Sequence, residues 1–227
     1  MSRQKYFITG TDTDAGKTLC AQGLLLKAKS EGKTTLGLKP IAAGCEKTDK
    51  GLRNSDALAL MVHSTETLPY EQVNPVALEE AIAPHIAAQR LRKPLSADRV
   101  VGFLRGVLMI NRADFTLIEG AGGWRLPLNP RETLADSVKE LQLPVIVVIG
   151  MKLGCLNHAL LTIEAIQRDG LKVAGWIANQ VDENMAAYEE NVATLHTLIK
   201  APFLGEVPFM QNPNAQDVAE LLQLPEA

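Results

Sequence analysis

The segment GTDTDAGKT, residues 10–18, contains residue types that can bind a phosphate group. It lies between a short apolar run at residues 6–8 and a helical pattern of leucines. Backbone N–H groups of a glycine-bounded loop in that position can surround phosphate oxygens. In such a loop, Lys17 is expected to reach the outer phosphates and the Thr18 hydroxyl to ligate Mg²⁺. The segment therefore predicts a binding loop for a nucleoside triphosphate.

The spacing of this loop departs from the common pattern. Five residues separate Gly10 from Gly16, whereas the usual phosphate loop has four residues before its Gly-Lys pair. The longer loop carries two acidic side chains, which would repel a triphosphate unless they form turn hydrogen bonds or face a metal ion or a second substrate. We predict local turn hydrogen bonds for Asp12 and a substrate contact for Thr13.

Two charged residues follow the second predicted strand. Lys39 stands at its carboxyl end, where the ligands of open α/β sheets bind, so we predict that its ammonium group serves an anionic intermediate rather than solvent. Asp56, in the segment NSDALAL, begins a helical pattern in which the residues ahead of it are candidate N-caps. Its carboxylate is also a candidate Mg²⁺ ligand, because hard cations at nucleotide sites take one or two carboxylates.

The segment FTLIEGAGG, residues 115–123, is an apolar strand that ends in an acid. This is the form of the second motif of nucleotide hydrolases, with Glu119 in place of the more usual Asp. Gly120, Gly122 and Gly123 follow it, and glycines permit positive φ and close approach of the backbone to a ligand. We predict that this strand end faces the same phosphates as the loop at residues 10–18.

A further strand end is followed by GMKLGCLNHALLT, residues 150–162. Gly154, Cys155 and Asn157 open a helix whose N-terminus can hold a carboxylate. No neighbouring residue in the sequence would activate the Cys155 thiol, so we interpret it as a packing residue rather than a nucleophile. His158 is interpreted as a helix-surface or capping residue.

Apolar runs alternate with amphipathic stretches along the chain, which is typical of an α/β fold with a mostly parallel central sheet flanked by helices. Strands are predicted at residues 5–9, 34–39, 115–119, 144–149, 173–178 and 203–206, and helices at 17–30, 55–61, 82–89, 97–111, 133–141, 156–169, 185–199 and 216–222. Pro84 lies inside the third helix, which is therefore predicted to be short or to begin there. The polar stretch at residues 44–56 is predicted to be a flexible loop. The expected fold is one domain over residues 1–227.

The composition narrows the class of protein. The chain has 227 residues, of which 46% are hydrophobic and 22% charged, and its formal net charge is −3. Without a basic stripe or tail, neither nucleic acid nor an anionic membrane is expected as a main partner. We expect no secretory signal, and no apolar stretch approaches the roughly 20 residues of a membrane helix. The three cysteines lack metal-binding spacing, and a reduced cytoplasm is the expected location.

Seven segments, read together and in order, resemble the dethiobiotin synthetase family, which are ATP-dependent carboxylases of biotin biosynthesis. The segments are GTDTDAGKT, KPIAAG, GLRNSDALAL, EGAGGW, KLGCLNHA, AGWIAN and LGEVP, and they span nearly the whole chain. The phosphate loop of that family also has five intervening residues, so the spacing between Gly10 and Gly16 is normal for it. The resemblance implies a single-domain, P-loop NTPase-like three-layer sandwich.

The resemblance also implies a homodimer that joins CO₂ or bicarbonate to 7,8-diaminononanoate and closes a ureido ring at the expense of ATP. It implies that Thr13, Lys17 and Lys39 are catalytic, and that Thr18, Asp56 and Glu119 hold Mg²⁺. The implied ATP contacts are Asp14, Ala15, Gly16, Lys17, Thr18, Leu19, Asp56, Glu119, Gly120, Ala121, Gly122, Asn179, Gln180, Pro208, Phe209 and Met210. The implied substrate contacts are Thr13, Lys39, Ala43 and Gly122, with Gly154, Cys155 and Asn157 of the neighbouring subunit.

Two positions depart from the commonest pattern of this family. Ala43 stands where many members have a serine, so one hydroxyl contact to the diamine is missing. Gln180 follows Asn179 where the family often has Asp, a change that bears on the preference for the nucleotide base. Neither position carries a group that the chemistry requires.

Three other functions share parts of these patterns. A partitioning or cell-division ATPase usually carries a second lysine early in its phosphate loop, whereas this chain has Thr11, Asp12 and Thr13 there. An amidotransferase-linked cobyrinate-type synthetase usually comes with a glutaminase domain, for which we expect no room in 227 residues. A small-molecule kinase stays an alternative, to be separated by whether ADP release requires both a diamine and bicarbonate.

Overall fold

The computed structural model describes residues 3–226. Its strands are β1 (Gln4–Gly10), β2 (Thr35–Leu38), β3 (Ile41–Ala42), β4 (Glu46–Thr48), β5 (Gly51–Arg53), β6 (Val76–Ala77), β7 (Phe115–Gly123), β8 (Val145–Met151), β9 (Val173–Gln180) and β10 (Phe203–Val207). Its helices are α1 (Lys17–Ser30), α2 (Ser55–His63), α3 (Tyr70–Val73), α4 (Pro84–Arg90), α5 (Ala97–Ile110), α6 (Leu134–Leu141), α7 (Cys155–Arg168), α8 (Tyr188–Leu198) and α9 (Ala215–Leu221).

Six of the strands form one parallel sheet in the order β10-β9-β8-β1-β7-β2. Parallel neighbours need long crossover connections, and α1, α6, α7 and α8 lie within the connections β1–β2, β7–β8, β8–β9 and β9–β10. Every residue of β8 is buried, as expected for a strand that is covered on both faces. The predicted parallel sheet is confirmed, and all six of its predicted strands are present.

Helices cover both faces of this sheet. Because successive side chains of a strand point to opposite faces, Val145, Val147 and Ile149 pack into one apolar cluster, and Ile146 and Val148 pack into another. The first cluster includes side chains of α5, α6 and α7, and the second includes side chains of α1 and α9. The predicted three-layer arrangement is therefore confirmed. Within residues 3–226, no helix has both the length and the apolar character needed to cross a membrane.

The prediction of a flexible loop at residues 44–56 is wrong for much of that stretch. β4 and β5 form an antiparallel hairpin there, with Lys47 opposite Leu52. The Thr48 hydroxyl closes the turn by donating to the Gly51 carbonyl at 2.8 Å, and Gly51 supplies the positive φ of 94°. The hairpin was missed because its strands are largely exposed, and the apolar alternation that predicts strands is absent where a strand packs on no core.

Several element boundaries lie a few residues from the predicted positions. α4 begins at Pro84, which is one of the two outcomes predicted for that helix, because proline lacks only an N–H that the first helical turn leaves unpaired anyway. α8 begins at Tyr188 rather than at residue 185. β7 continues past Glu119 as far as Gly123, so this acid lies within the strand rather than at its end.

Candidate active site

A cavity of about 900 Å³ lies at the carboxyl ends of β1, β2 and β7. Ligands of open α/β sheets bind at this edge, and the volume suits a nucleotide-sized ligand. The predicted site residues that line it are Thr13, Asp14, Gly16, Lys17, Thr18, Leu19, Lys39, Ala43, Asp56, Glu119, Ala121 and Gly122. The fold thus brings the phosphate loop and three other predicted segments to one cavity.

The phosphate loop joins β1 to α1 through a glycine in the left-handed region. Gly16 has φ 88°, and a Cβ atom on it would lie 2.0 Å from Asn179 Nδ2. Asn179 in turn donates from Nδ2 to the Ala15 carbonyl at 2.9 Å, which ties the loop to the end of β9. No side chain of the described residues caps α1, so its first N–H groups are available to an anion.

Lys17 is the first residue of α1. It is buried, and its Nζ donates to the Asp12 carbonyl at 3.1 Å. Burial lowers the pKa of Lys17 below its ordinary value, and the positive charge of Lys39 adds to this effect. Burying an ammonium group costs free energy unless a partner compensates its charge. A phosphate oxygen in the cavity would give Lys17 an anionic partner in place of the neutral Asp12 carbonyl.

Asp12 is not among the residues that line the cavity, and its side chain stabilises the loop instead. Its Oδ1 accepts from the Thr13 N–H at 2.8 Å, which is the predicted turn hydrogen bond, and its Oδ2 pairs with Lys152 Nζ at 3.0 Å. The hydrogen bond from Lys152 holds the pKa of Asp12 below its ordinary value. Sequence reasoning missed Lys152, because the order of strands along the chain does not show that β8 ends beside β1.

Lys39 is buried and forms the centre of a charged cluster. Its Nζ lies 2.6 Å from Glu119 Oε1 and 3.2 Å from Asp56 Oδ2. It also donates to the Gly120 carbonyl at 3.1 Å, and the Thr18 hydroxyl donates to Glu119 Oε1 at 2.8 Å. Burial alone would lower the pKa of Lys39, yet the negative charges of Glu119 and Asp56 outweigh burial and raise that pKa. Lys39 therefore carries a positive charge at neutral pH.

The oxygen atoms around Glu119 fit a hard divalent cation. Glu119 is fully buried, and its Oε2 has no hydrogen-bond partner among the described residues. Such an oxygen is costly unless a cation or a donor reaches it. Thr18 and Asp56 add a hydroxyl and a second carboxylate to the same cluster. Residues 3–226 contain no group of three or more His, Cys, Asp or Glu side chains placed to hold a metal, so Mg²⁺ here would also need phosphate oxygens and water.

The glycine-rich end of β7 runs beside the phosphate loop. Gly122 has φ 62°, and a Cβ atom on it would lie 3.7 Å from Thr13 Oγ1. Gly120 is packed more tightly, since a Cβ atom there would lie 2.7 Å from the Phe7 ring. Thr13 and Gly122, both predicted substrate contacts, therefore lie side by side on one wall of the cavity.

Five of the predicted ATP contacts form a separate group at the ends of β9 and β10, namely Asn179, Gln180, Pro208, Phe209 and Met210. Asn179 is buried, and Gln180 Oε1 accepts from the Phe209 N–H at 3.2 Å. Pro208 and Phe209 are exposed and Met210 is half-buried. None of these five residues lines the cavity, so they are available to a part of the nucleotide that extends beyond it.

The predicted carboxylate site at the start of α7 lies apart from the cavity. Gly154 is the N-cap residue with φ 95°, and Asn157 is exposed. Cys155 is buried, and burial raises the pKa of its thiol, which agrees with its interpretation as a packing residue rather than a nucleophile. None of the three lines the cavity of its own chain.

One wall of the cavity was not predicted from the sequence. Residues 81–83, between β6 and α4, and Pro84, the first residue of α4, line it together with Asn54 and Leu126. Most of these side chains are apolar, and apolar residue types do not by themselves indicate a binding site in a sequence. Only the folded chain shows that this connection crosses the ends of the strands.

Comparison with known proteins finds relatives of the whole chain. A family model described as an AAA domain matches residues 4–216. The chain is 60% identical over 224 residues to the ATP-dependent dethiobiotin synthetase BioD of Cellvibrio japonicus, with 99% of this chain and 97% of that one covered. It is 51% identical over 223 residues to the protein of the same name from Marinobacter nauticus, with 98% and 95% covered.

Among solved structures, the septum site-determining protein MinD of Pyrococcus horikoshii, complexed with Mg-ADP, matches with a TM-score of 0.54 and 18% identity over 97% of this chain and 86% of that one. An identity this low shows a shared fold alone, so the predicted P-loop NTPase-like fold is confirmed while the cell-division alternative gains no support beyond the fold. The relatives named above, which match from end to end at 60% and 51% identity, confirm the predicted class of enzyme, and on that ground this chain belongs to the ATP-dependent dethiobiotin synthetase family.

Proposed function

We propose that this protein carboxylates 7,8-diaminononanoate with CO₂ and closes the ureido ring of dethiobiotin in the cytoplasm, converting ATP to ADP and phosphate. The names of the relatives support the use of ATP and the identity of the product. The observation that carries the proposal is the pairing of Lys39 with Glu119 and Asp56 beside a phosphate loop in one cavity. A protonated amine in this position would face the two anions that must react, a triphosphate and a carbamate.

In this proposal, ATP binds with its phosphates against the loop between β1 and α1. The free N–H groups of the helix start and the positive end of its dipole favour an anion there. The Lys17 ammonium group would then donate to phosphate oxygens instead of to the Asp12 carbonyl. The triphosphate is bordered by Asp14, Ala15, Gly16, Thr18, Leu19, Gly120, Ala121 and Gly122, and the base by Asn179, Gln180, Pro208, Phe209 and Met210.

Thr18, Asp56 and Glu119 are the residues proposed to hold Mg²⁺. When bound, the ion would neutralise charge that develops on the phosphates during phosphoryl transfer. The buried Glu119 Oε2, which has no hydrogen-bond partner among the described residues, supports this assignment. Glu119 Oε1 already accepts hydrogen bonds from Lys39 and Thr18, so Oε2 is the oxygen of this carboxylate that is left for the ion.

The proposed order of steps follows from the charges that form. One amine of the diamine adds CO₂ and loses a proton, which gives a carbamate anion. Lys39 holds this anion near the γ-phosphorus, and Thr13, Ala43 and Gly122 bound the diamine at the cavity wall. A carbamate oxygen attacks the γ-phosphorus and ADP leaves, which gives a mixed carbamic–phosphoric anhydride. The second amine attacks the carbonyl carbon of the anhydride, phosphate leaves, and the five-membered ring closes.

The protein acts in this reaction by position and charge. The carbamate itself is the nucleophile, so no covalent bond to the enzyme is required. Lys39 and Glu119 are buried, and the electrostatic attraction of an anion to the ammonium group is stronger away from solvent. Phosphoryl transfer depends mainly on such positioning and charge stabilisation.

We propose a homodimer in which the start of α7 completes the substrate site of the other copy. The side chains of Leu153, Leu160 and Leu161 beside it are 95%, 37% and 56% exposed. Exposed apolar side chains of this size favour burial in an interface. With a second copy docked there, the helix start at Gly154 and Asn157 would hold the substrate carboxylate from across that interface.

Product analysis with labelled bicarbonate tests the function. With ATP, MgCl₂, 7,8-diaminononanoate and ¹³C-bicarbonate, the purified protein is expected to release ADP and to form a cyclic urea that contains one labelled carbon. ADP release should require both the diamine and bicarbonate. An ATPase switch would release ADP without the diamine, and a kinase would phosphorylate the diamine without incorporating the label. Either result would overturn the proposal.

A further inference from the structure

A buried chain of hydrogen bonds connects the backbone of Lys39 to the start of α2. The Asn54 N–H donates to Tyr70 Oη at 2.7 Å, and the Tyr70 hydroxyl donates to Asn74 Oδ1 at 2.9 Å. Asn74 Nδ2 then donates to the Lys39 carbonyl at 2.6 Å. Asn54, Tyr70 and Asn74 are 5%, 7% and 2% exposed, so these hydrogen bonds form away from bulk solvent.

The two ends of this chain fix its direction. The Asn54 N–H can only donate and the Lys39 carbonyl can only accept, so the Tyr70 hydroxyl must accept on one side and donate on the other. Asn74 must accordingly present its oxygen to Tyr70 and its nitrogen to Lys39. Burial raises the pKa of Tyr70 above its ordinary value, which keeps the hydroxyl proton available. The Arg53 guanidinium lies 4.1 Å from the centre of the Tyr70 ring and restrains it further.

The chain closes into a ring at the ion pair of the active site. Asn54 is the N-cap of α2, and its side chain accepts from the backbone of that helix at 3.2 Å. This hydrogen bond orients the first turn, which carries Asp56, and the Asp56 carboxylate pairs with Lys39 Nζ at 3.2 Å. Lys39 is thus tied to α2 twice, by its backbone through Asn74 and Tyr70 and by its ammonium group through Asp56.

We propose that Tyr70 and Asn74 are positioning residues that hold Lys39 where its ammonium group meets the carbamate. This inference rests on the function proposed above. Neither side chain lines the cavity, so each acts through the backbone of Lys39 rather than on the substrate. A displacement of about 1 Å can cost on the order of 10²-fold in rate, and loss of the Tyr70 hydroxyl would leave two buried partners unpaired.

The direct test is Tyr70→Phe, which removes one hydroxyl and keeps the ring beneath Arg53. We expect kcat for diamine-dependent ADP release to fall by about tenfold, with the KM for ATP unchanged, because the phosphate loop makes no contact with the lost hydroxyl. Tyr6→Phe is the matched control. Tyr6 is similarly buried, lies at the amino end of β1, and uses its hydroxyl with Gln4 and Glu226. Its kcat is expected to equal that of the parent.

A double-mutant cycle separates positioning from a general loss of packing. If Tyr70 acts through Lys39, Tyr70→Phe has little further effect on kcat in a Lys39→Ala background. Asn74→Asp, which replaces the amide donor to the Lys39 and Val76 carbonyls with an acceptor at nearly constant shape, is expected to reproduce the fall in kcat, and it carries the test if Tyr70→Phe does not fold. Additive losses in the cycle, or a parent-like kcat in the folded variants, would overturn the inference.

The same experiment distinguishes the failure of this inference from that of the proposed function. If the parent protein releases no diamine-dependent ADP, the proposed function fails and this inference fails with it. If the parent is active and the cycle is additive, only the positioning role of Tyr70 and Asn74 fails.

Discussion

The two sides of the cavity differ in how their buried lysines are paired. On one side, the Lys39 ammonium group meets Glu119 and Asp56, and buried hydrogen bonds hold its backbone. On the other side, the Thr13 side chain in the phosphate loop is exposed, and Lys17 donates to a carbonyl of its own loop. In the proposed mechanism, the charge for the carbamate is therefore held in place before any ligand binds, whereas the loop takes its counter-ion from the nucleotide.

The backbone shows the same difference. Asp14 in the phosphate loop has φ 59°, a conformation that costs a non-glycine residue about 1–2 kcal/mol. Lys39 instead donates its N–H to the Val73 carbonyl at 2.9 Å and accepts from Asn74, so both backbone groups are satisfied. Groups that stabilise a transition state act best when they need no reorganisation during the reaction. In the proposed mechanism, the hydrogen-bonded Lys39 side therefore suits chemistry, and the strained loop suits binding and release.

The largest effect of a substitution is expected on the side of the cavity that contains Lys39, Glu119 and Asp56. Lys39→Ala should lower kcat by on the order of 10²–10³, by analogy with the loss of one preorganised stabiliser. It also leaves Glu119 as a buried charge without its partner, which should lower the free energy of unfolding by about 3–5 kcal/mol. Steady-state kinetics and urea denaturation measure the two effects. Lys47→Ala removes an exposed lysine paired with Glu79 and is the control, expected to change neither. A parent-like kcat in Lys39→Ala would contradict the assigned role.

Gly16→Ala tests the loop side. The new methyl group would stand 2.0 Å from Asn179 Nδ2 at φ 88°, so we expect a loss of about 2–4 kcal/mol in unfolding free energy and weaker ATP binding. Gly32→Ala is the control, because Gly32 has φ 78° and, apart from its own residue and its two chain neighbours, no described residue has an atom within 4 Å of the place that its Cβ atom would take. Backbone strain alone should cost about 1–2 kcal/mol there. Equal losses in the two variants would show that the contact with Asn179 does not hold the loop.

The pH dependence of nucleotide binding separates the two lysines. Burial lowers the pKa of Lys17, whereas the carboxylates around Lys39 outweigh burial and raise its pKa. Because phosphate binding needs a protonated Lys17, the affinity for ADP should fall as the pH rises through the lowered pKa, before an ordinary lysine titrates. Lys17→Arg keeps its charge and should flatten this dependence. Calorimetry between about pH 7 and about pH 10 measures it. A constant affinity in the parent protein would exclude Lys17 as the titrating phosphate contact.

The smallest effect is expected from substitution of Asp12 in the phosphate loop. Asp12→Asn keeps an acceptor for the Thr13 N–H and removes the half-exposed ion pair with Lys152. Exposed pairs contribute about 1 kcal/mol or less, so unfolding free energy should change by no more than that and kcat by less than about twofold. Asp12→Ala, which removes both contacts, should cost more. Equal losses in the two variants would show that the ion pair with Lys152, rather than the turn hydrogen bond, holds the loop. The phosphate-loop side of the cavity would then be held by an ion pair, as the Lys39 side is.

The sheet and the charged side chains at its edge could be predicted from the sequence for one physical reason. A parallel strand that is buried on both faces leaves a continuous apolar run, as in β8, and the residue types that follow such runs then mark the edge where the strands end. Lys39 and Glu119 were identified in this way, and the structure brings both to the cavity.

The partners that hold those side chains could not be predicted. Tyr70 and Asn74 lie in and after α3, a helix of 4 residues, which is too short to produce a periodic pattern. Their hydrogen bonds go largely to backbone groups, which are the same in every residue and leave no mark on the sequence. Lys152 and the apolar wall at residues 81–84 depend on which strand ends are neighbours in space, and the order of residues along the chain does not give that.

The common direction of the six strands has a practical consequence. All of them end at the edge with the cavity, so β1 begins at Gln4 on the opposite edge. A purification tag or a surface tether joined ahead of Gln4 would emerge on the far side of the molecule. Protein immobilised through that end should have the opening of its cavity facing the solution. Nucleotide exchange on a sensor chip should then proceed unhindered.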